Sequence, residues 1–319
     1  MEQIKRTIKH VYWLIRIFRF LYRIPLTLCW NIRFCINYLR RKKTIYGCCF
    51  VFTTLLGKVR KNNWGDDLND HLFTLISDKK INFVPFDQLF FCPSVKRYSL
   101  IGSIIGDFCL DNTIIYGSGA ITANPVLVGR PEKVLSVRGP LTREVLMKNG
   151  IDCPQVYGDP AMLLPLVYKP KVEAVDKIGL IPHYRTGECE WIECLKKSHD
   201  VRIIDMSQYD RWTDIIDDII SCKLIISESL HGLIVAESYA VPSIWVEFVP
   251  HNCGWEWDFK FRDFYQSIGK YNQKCYPIYQ GYSTEEIIEY AKDWKPGKID
   301  FDSMLKAFPF PINGDALNE

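Results

Sequence analysis

Three segments of the 319-residue chain gather side chains able to do acid–base or anion chemistry. The first is Asn62-Asn63-Trp64-Gly65-Asp66-Asp67-Leu68-Asn69, with amides and two carboxylates around one glycine. The amides can hydrogen-bond hydroxyl groups, and a carboxylate can take a proton from one. One Asp is expected to serve the N-terminal turn of the following helix instead. The second is Val137-Arg138-Gly139-Pro140-Leu141-Thr142, where Pro140 suits a first helical position. A guanidinium between a strand and a helix fits a carboxylate or phosphate, and a surface salt bridge would use it equally well. The third is Ser227-Glu228-Ser229-Leu230-His231-Gly232, joining an apolar run to an apolar helix. A His at a helix start meets the positive end of the dipole, which disfavours its charged form. A neutral ring there can donate one hydrogen bond and accept another, or simply pack the turn.

Other chemistries find no support. No P-loop, GxGxxG or GxSxG occurs. The twelve cysteines are scattered without a CxxC, and Cys189, Cys194, His183 and His199 lack the paired spacing of a zinc site. No metal is expected, and unpaired cysteines suit a reducing compartment.

The elements that must position these groups alternate between strand and helix. Strands are expected at Tyr46–Thr53, Ser99–Ile105, Thr113–Tyr116, Val134–Val137 and Gln155–Tyr157, with a helix at Leu141–Asn149. Tyr168–Asp176, with Pro170 and four charges, reads as a linker. Beyond it come strands at Lys177–Ile181, Arg202–Ile204, Leu224–Ser227 and Ser243–Val246. Helices at Glu190–Lys197, Trp212–Ser221 and His231–Ala240 separate them. Such alternation predicts an α/β fold with parallel sheets, built as two Rossmann-like domains facing a central cleft. The expected units are 1–45, 46–168 and 177–319. Ligands in such sheets sit at the carboxyl ends of strands, where the three segments above fall.

Hydrophobic residues make up 48% of the chain and charged residues 24%, which excludes a disordered chain. The net charge of +3 divides unevenly: residues 1–43 carry +10 and the remainder −7. A uniform nucleic-acid-binding surface is therefore not expected. Within the basic arm, Arg16, Arg19 and Arg23 interrupt any signal-peptide core, and the longest uncharged run, Ile24–Ile32, is too short to span a membrane. Lys5, Lys9, Arg16, Arg19 and Arg23 recur at helical spacing among Val11, Trp13, Leu14, Ile15, Phe18, Leu21 and Tyr22. Two readings follow: an added amphipathic basic helix lying in an anionic membrane surface, or an extension packed on the body or a second subunit.

The motifs also occur in a telling order. To the three segments are added Ile101-Gly102-Ser103-Ile104, Tyr116-Gly117-Ser118-Gly119, Tyr157-Gly158-Asp159-Pro160-Ala161 and Ile181-Pro182-His183-Tyr184. Together, over roughly residues 46–270, they resemble the polysaccharide pyruvyl transferase family. The resemblance implies a fold similar to GT-B glycosyltransferases. It implies transfer of pyruvate from phosphoenolpyruvate, a co-substrate, to two hydroxyls of one sugar, forming a cyclic ketal without cofactor or metal. An Arg, a His and a Lys are implicated in donor binding in the family. Arg138 and His231 match by motif, and Lys260 in Asp258-Phe259-Lys260-Phe261-Arg262-Asp263 is the candidate for the third.

The expected catalytic groups are His231, with Asp66 or Asp67 as acceptor-side base; the Asp assignment rests on position and chemistry alone. Expected substrate contacts are Arg138, Lys260, Asn63, Asn69, Ser118, Gly119, Asp159, His183, Ser229 and Leu230. The expected partners are phosphoenolpyruvate, a glycan acceptor such as a lipid-linked oligosaccharide, and an anionic membrane surface bound through residues 1–43. That places the protein in the cytoplasm, on the inner face of the membrane. A nucleotide-sugar glycosyltransferase on the same fold and a non-catalytic scaffold of glycan assembly are the competing readings.

Overall fold

The structure is a computed structural model that describes residues 44–51, 54, 58–84, 96–183, 186, 189–250 and 256–314, with ten positions between 21 and 39. Among them are two five-stranded sheets in which every strand pairing is parallel. The first has the order β2-β1-β3-β4-β5, from Thr44–Cys48 (β1), Lys80–Phe83 (β2), Arg97–Ser99 (β3), Thr113–Tyr116 (β4) and Lys133–Ser136 (β5). The second has the order β7-β6-β8-β9-β10, from Val175–Ile181 (β6), Val201–Ile203 (β7), Cys222–Ser227 (β8), Ser243–Glu247 (β9) and Tyr276–Pro277 (β10). Counted within each half, both sheets follow the doubly wound order 2-1-3-4-5, and each reverses direction beside its first strand.

Several elements differ from the sequence expectation for local reasons. The strand expected over Ser99–Ile105 ends at Ser99, because Gly102 takes a φ of +133° and the chain turns into the short helix Ile105–Phe108. Such a φ is open to glycine and strained for other residues. The strand expected at Gln155–Tyr157 is reduced to one bridge between Val137 and Tyr157. Strand β6 begins at Val175, inside the stretch read as a linker. Tyr168, at the start of that stretch, packs edge-on against Trp212 and donates to Asp217 Oδ1 at 2.6 Å. Edge strand β2, which begins with Lys80 and is only four residues long, went unread.

One buried cluster runs through both halves, including Phe73, Tyr116, Ile181, Ile225, Leu233 and Met304. The helix Leu230–Ser238 lies in it with every residue from Leu230 to Glu237 buried, which is the pattern of a helix enclosed on all sides. Each such Leu, Ile or Val contributes about 1.5–3 kcal/mol by leaving water. The helix packs on the turn Pro160–Leu163 of the first half as well as on β8 and β9. The chain's last segment returns to the first sheet. Tyr116 donates to the Met304 carbonyl at 2.9 Å, Phe308 stacks on Phe73, and Phe310 leans on Tyr98.

The described positions between 21 and 39 are helical. Leu21, Ile24, Leu28, Ile32, Ile36 and Leu39, at steps of three and four residues, are each 40% or more exposed. The basic positions Lys5, Lys9, Arg16, Arg19 and Arg23 lie outside the described residues. No helix among the described residues is long and apolar enough to cross a membrane.

Candidate active site

A cavity of about 250 Å³ opens where the carboxyl ends of the two sheets meet. Phe50, after β1, and Ser103, after β3, come from the switch point of the first sheet. Pro182 and His183, after β6, and Glu228 and Ser229, after β8, come from that of the second. Asn62, Asn63 and Asp66, then Asp205, Met206 and Ser207, complete the polar wall with Leu230, His231 and Lys260.

Asn63 caps the short helix Trp64–Asp67: its Oδ1 accepts from the Gly65 amide at 3.3 Å and its Nδ2 donates to Asp66 Oδ2 at 2.8 Å. Capping therefore falls to the amide, which releases Asp66 to face the cavity. Burial, then the neighbouring Asp67, push the Asp66 carboxyl up to about 7, against the pull of Asn63 and Lys260. Asp67 does not line the cavity. Its Oδ2 accepts from the Asn62 amide at 2.9 Å and from the Tyr209 hydroxyl at 2.8 Å. The two carboxylates, open alternatives in the sequence, are thus separated into one facing the cavity and one tying the halves together.

The same loop is stitched to the second half by backbone and indole. Trp64 N donates to the Met206 carbonyl at 2.8 Å and Trp64 Nε1 to the Trp212 carbonyl at 2.7 Å. Asn69 is wholly buried behind it, bonded to Ile101 N and O and to the Asp66 carbonyl, and does not reach the cavity.

His231 is 8% exposed and lines the cavity, and its Nε2 has no hydrogen-bond partner among the described residues. Burial, then the charges of Arg138 and Lys260, lower it to about 3, so the ring is neutral at physiological pH. Gly65 is required beside it, since a Cβ there would stand 1.9 Å from Nδ1. Lys260 projects from the first turn of the helix Phe259–Ser267, with Nζ 4.0 Å from the centre of the Trp257 ring. That cation–π contact holds an ammonium at the cavity wall. His183 presents its ring edge to Trp257, while its amide donates to Glu228 Oε2 at 3.0 Å. Ser229 caps the helix that carries His231, accepting from Gly232 N at 3.4 Å.

Arg138 lies behind this wall, completely buried. Its Nε donates to Asp263 Oδ2 at 3.0 Å, one terminal nitrogen to Ser103 Oγ and the other to the Ala120 carbonyl at 2.6 Å. Asp263 also accepts from Thr142 N at 2.8 Å and Thr142 Oγ1 at 2.6 Å. A Cβ on Gly119 would stand 2.1 Å from the Arg138 Cζ, so that glycine makes room for the guanidinium. Ser118 Oγ bonds to the Leu100 carbonyl and Ser99 Oγ, below the cavity. Asp159 caps the turn Pro160–Leu163 through Oδ1, its Oδ2 is unpaired among the described residues, and burial raises its pKa to about 6.

The structure therefore brings Asn63, Asp66, His183, Ser229, Leu230, His231 and Lys260 to one cavity. It sets Asp67, Asn69, Ser118, Gly119, Arg138 and Asp159 in the framework around it. Ser103, Asp205, Ser207, Glu228 and Asp263 were not singled out from sequence. Ser103 and Glu228 sat within recognised motifs; Asp263 stands 125 positions from its partner Arg138, and no local signal joins them. Among the described residues no group of three His, Cys, Asp or Glu side chains could hold a metal ion. The site can bind a small anion against Lys260 and His231 while offering a carboxylate to a hydroxyl.

Comparison with known proteins bears on the family. The chain is 26% identical over 257 residues to an uncharacterized protein of Acanthamoeba polyphaga mimivirus, covering 78% of this chain and 85% of that one. It is 25% identical over 236 residues to the succinoglycan biosynthesis protein ExoV of Rhizobium meliloti (strain 1021), covering 73% and 69%. The family model for polysaccharide pyruvyl transferase matches residues 16–248. The match starts earlier than the motif-bearing span, inside the basic arm, and stops short of Lys260. Covering more than half of the chain, it shows that this protein belongs to the polysaccharide pyruvyl transferase family.

Proposed function

We propose that the protein transfers pyruvate from phosphoenolpyruvate to two hydroxyls of one sugar residue during synthesis of a surface polysaccharide, leaving a cyclic ketal. The observation that carries this reading is His231, which lines a cavity with Lys260 and Asp66 and whose buried Nε2 has no hydrogen-bond partner among the described residues. A buried polar atom without a partner costs about 1–3 kcal/mol, which a bound anion or hydroxyl would offset.

In the proposed reaction Lys260, with Arg138 acting through its charge from behind Ser103, attracts the carboxylate and phosphate of the donor. Lys260 and Ser229 make the contacts. A dianion beside His231 draws a proton onto its ring, reversing the depression caused by burial and the two cations. His231 then delivers that proton to the methylene carbon, and an oxocarbenium-like centre forms at the ketal carbon. Asp66, poised near neutrality, takes the proton of the attacking hydroxyl. The second hydroxyl adds as the phosphate–carbon bond breaks. Of the two hydroxyl protons, one replaces that used on the methylene carbon and one leaves with phosphate.

The two parallel sheets meeting at their carboxyl ends suit a GT-B-like arrangement, with the donor contacts Ser229, His231 and Lys260 from the second half and the base Asp66 from the first. The apolar stripe Leu21–Leu39 beside a segment of net charge +10 supports a peripheral role at an anionic membrane surface, where a lipid-linked oligosaccharide would be presented. The cysteines among the described residues are all free thiols, which suits the cytoplasmic side. A cavity of about 250 Å³ lies below the usual ~300–1,000 Å³ of ligand sites, which favours a compact donor over a nucleotide sugar. The test is thermal denaturation with phosphoenolpyruvate and with UDP- and GDP-sugars, followed by mass spectrometry of lipid-linked oligosaccharides incubated with the donor. Stabilisation by nucleotide sugars alone, or acceptors that gain no pyruvate, would refute the proposal.

A further inference from the structure

We infer that the Asp205–Ser207 turn after β7 is the acceptor subsite, and that it selects an uncharged sugar by holding a pair of its hydroxyls. The inference rests on the pyruvyl-transfer reading and adds the class of acceptor and the residue that recognises it.

The cavity wall divides by chemistry and by origin. Ser229, His231 and Lys260 follow β8 and β9, and they supply donors and positive charge. Glu228 also follows β8, but its carboxylate is taken up by His183 N, Thr186 Oγ1 and Phe248 N. Besides Ser103 and His183, the rest of the polar wall is made by two loops from opposite halves, each contributing a carboxylate: Asn62–Asp66 and Asp205–Ser207. These loops are neighbours, because Trp64 N donates to the Met206 carbonyl at 2.8 Å.

Asp205 is held in a fixed orientation. Its Oδ1 accepts from Ser207 N at 2.8 Å and Ser207 Oγ at 2.6 Å. Its Oδ2 makes no hydrogen bond among the described residues, and the side chain is exposed to the cavity mouth. An oriented carboxylate with one oxygen open accepts hydrogen bonds from hydroxyls and donates none. A second, independent observation marks the same cavity as a ligand site: His231, 92% buried, lines it while its Nε2 has no hydrogen-bond partner among the described residues.

Two carboxylates on adjacent loops set the specificity. A sugar diol meets acceptors that match it, while a uronate or a phosphorylated sugar brings further negative charge to a wall that already holds the Asp205 carboxylate. Asp66, on the neighbouring loop of the same wall, supplies the base for the hydroxyl that Asp205 presents. Asp205 positions the diol, and Asp66 does the proton chemistry.

The test uses the full chain with Asp205→Ala, Asp205→Asn and Ser207→Ala. Saturation-transfer NMR reports binding of methyl hexopyranosides and the matching methyl hexuronides without requiring turnover. Initial rates with phosphoenolpyruvate report KM for the acceptor. Loss of a hydrogen bond to a charged group predicts an acceptor KM raised about ten- to a hundredfold in D205A. Ser207→Ala should raise it less, since it loosens the carboxylate without removing it. The thermal shift caused by phosphoenolpyruvate should be unchanged in all three. In D205N the preference for neutral hexosides over hexuronides should narrow, which a purely structural role would not produce. Unaltered hexoside binding in D205A, or hexuronides bound as well as hexosides by the wild type, overturns the subsite while leaving the donor reading intact. If phosphoenolpyruvate gives no shift in the wild type, the donor reading fails, and the NMR arm still decides the subsite.

Discussion

Gly65→Ala is the smallest change that should disable the site. The added Cβ would stand 1.9 Å from His231 Nδ1, 2.3 Å from Cγ and 2.5 Å from Cε1, where ordinary contact begins at 3.4 Å. The imidazole or the loop must therefore move by about 1.5 Å. Neither has room. The loop is fixed by Trp64 to the carbonyls of Met206 and Trp212, and the ring belongs to a helix buried on all sides. Overpacking of this kind costs about 1–3 kcal/mol. At about 2–4 °C per kcal/mol for large domains, Tm should fall by roughly 2–12 °C. A misplacement of about 1 Å at reacting groups is worth about a hundredfold, so kcat/KM should fall by at least that. Gly106→Ala is the control, since its Cβ would meet Pro125 Cβ at 3.4 Å and the Val126 carbonyl at 3.6 Å, both ordinary contacts. The assays are thermal melts and steady-state rates of phosphate release with phosphoenolpyruvate and acceptor. Wild-type Tm and kcat in Gly65→Ala would refute the geometry argued for His231.

Four further outcomes are expected. Asp66 holds its proton to about pH 7 in the folded chain but releases it near pH 4 when unfolded, so this group lowers stability as pH rises across that window. Asp66→Asn should remove that slope in urea melts and abolish the limb near pH 7 in kcat/KM. His231 works in the opposite sense: held near 3 when folded, it makes stability fall as pH drops from about 6.5 to 3. His231→Gln should flatten that limb and cut kcat about a hundredfold. Arg138→Lys keeps the charge but cannot serve Asp263, Ser103 and the Ala120 carbonyl at once. With each orphaned group costing about 1–3 kcal/mol, it should lower Tm more than it weakens donor binding by calorimetry. Leu28→Ser with Ile32→Ser should weaken co-sedimentation with anionic vesicles, most of all at high salt where the attraction of the basic arm is screened, while leaving phosphate release from soluble acceptors intact.

Much of the architecture was legible because its signals are local. Apolar runs of four to six residues bounded by polar loops gave β4, β5, β8 and β9 nearly to the residue. The elements that were missed depend on distant partners. β2 opens with an exposed lysine and pairs through only four residues on the sheet edge. β10 is two residues held against β9, and Pro277 is tolerated there because an edge strand need not donate on its outer side. The return of Phe308 and Phe310 to the first sheet is a packing event that no periodicity announces.

The site was legible as a set of strand ends, and the division of labour within it was not. Polar residues at the carboxyl end of a strand serve equally as ligands or as brackets, and their sequence neighbourhoods look alike. What separates them is whether their hydrogen-bonding capacity is already used inside the protein. Asn69 uses its amide three times, on Ile101 N, Ile101 O and Asp66 O, and Arg138 occupies all three guanidinium nitrogens. Both are brackets that hold loops, and most of their partners come from other segments: Ile101 lies 32 residues from Asn69, and Ser103 and Asp263 lie 35 and 125 from Arg138. His231 Nε2 is buried with nothing to bond, and Asp205 keeps one oxygen open. A buried valence left open costs stability. Its natural relief is a ligand, which is why an open valence at the cavity itself, as on His231, marks the chemistry better than charge does; Asp159 leaves an oxygen open too, but outside the cavity.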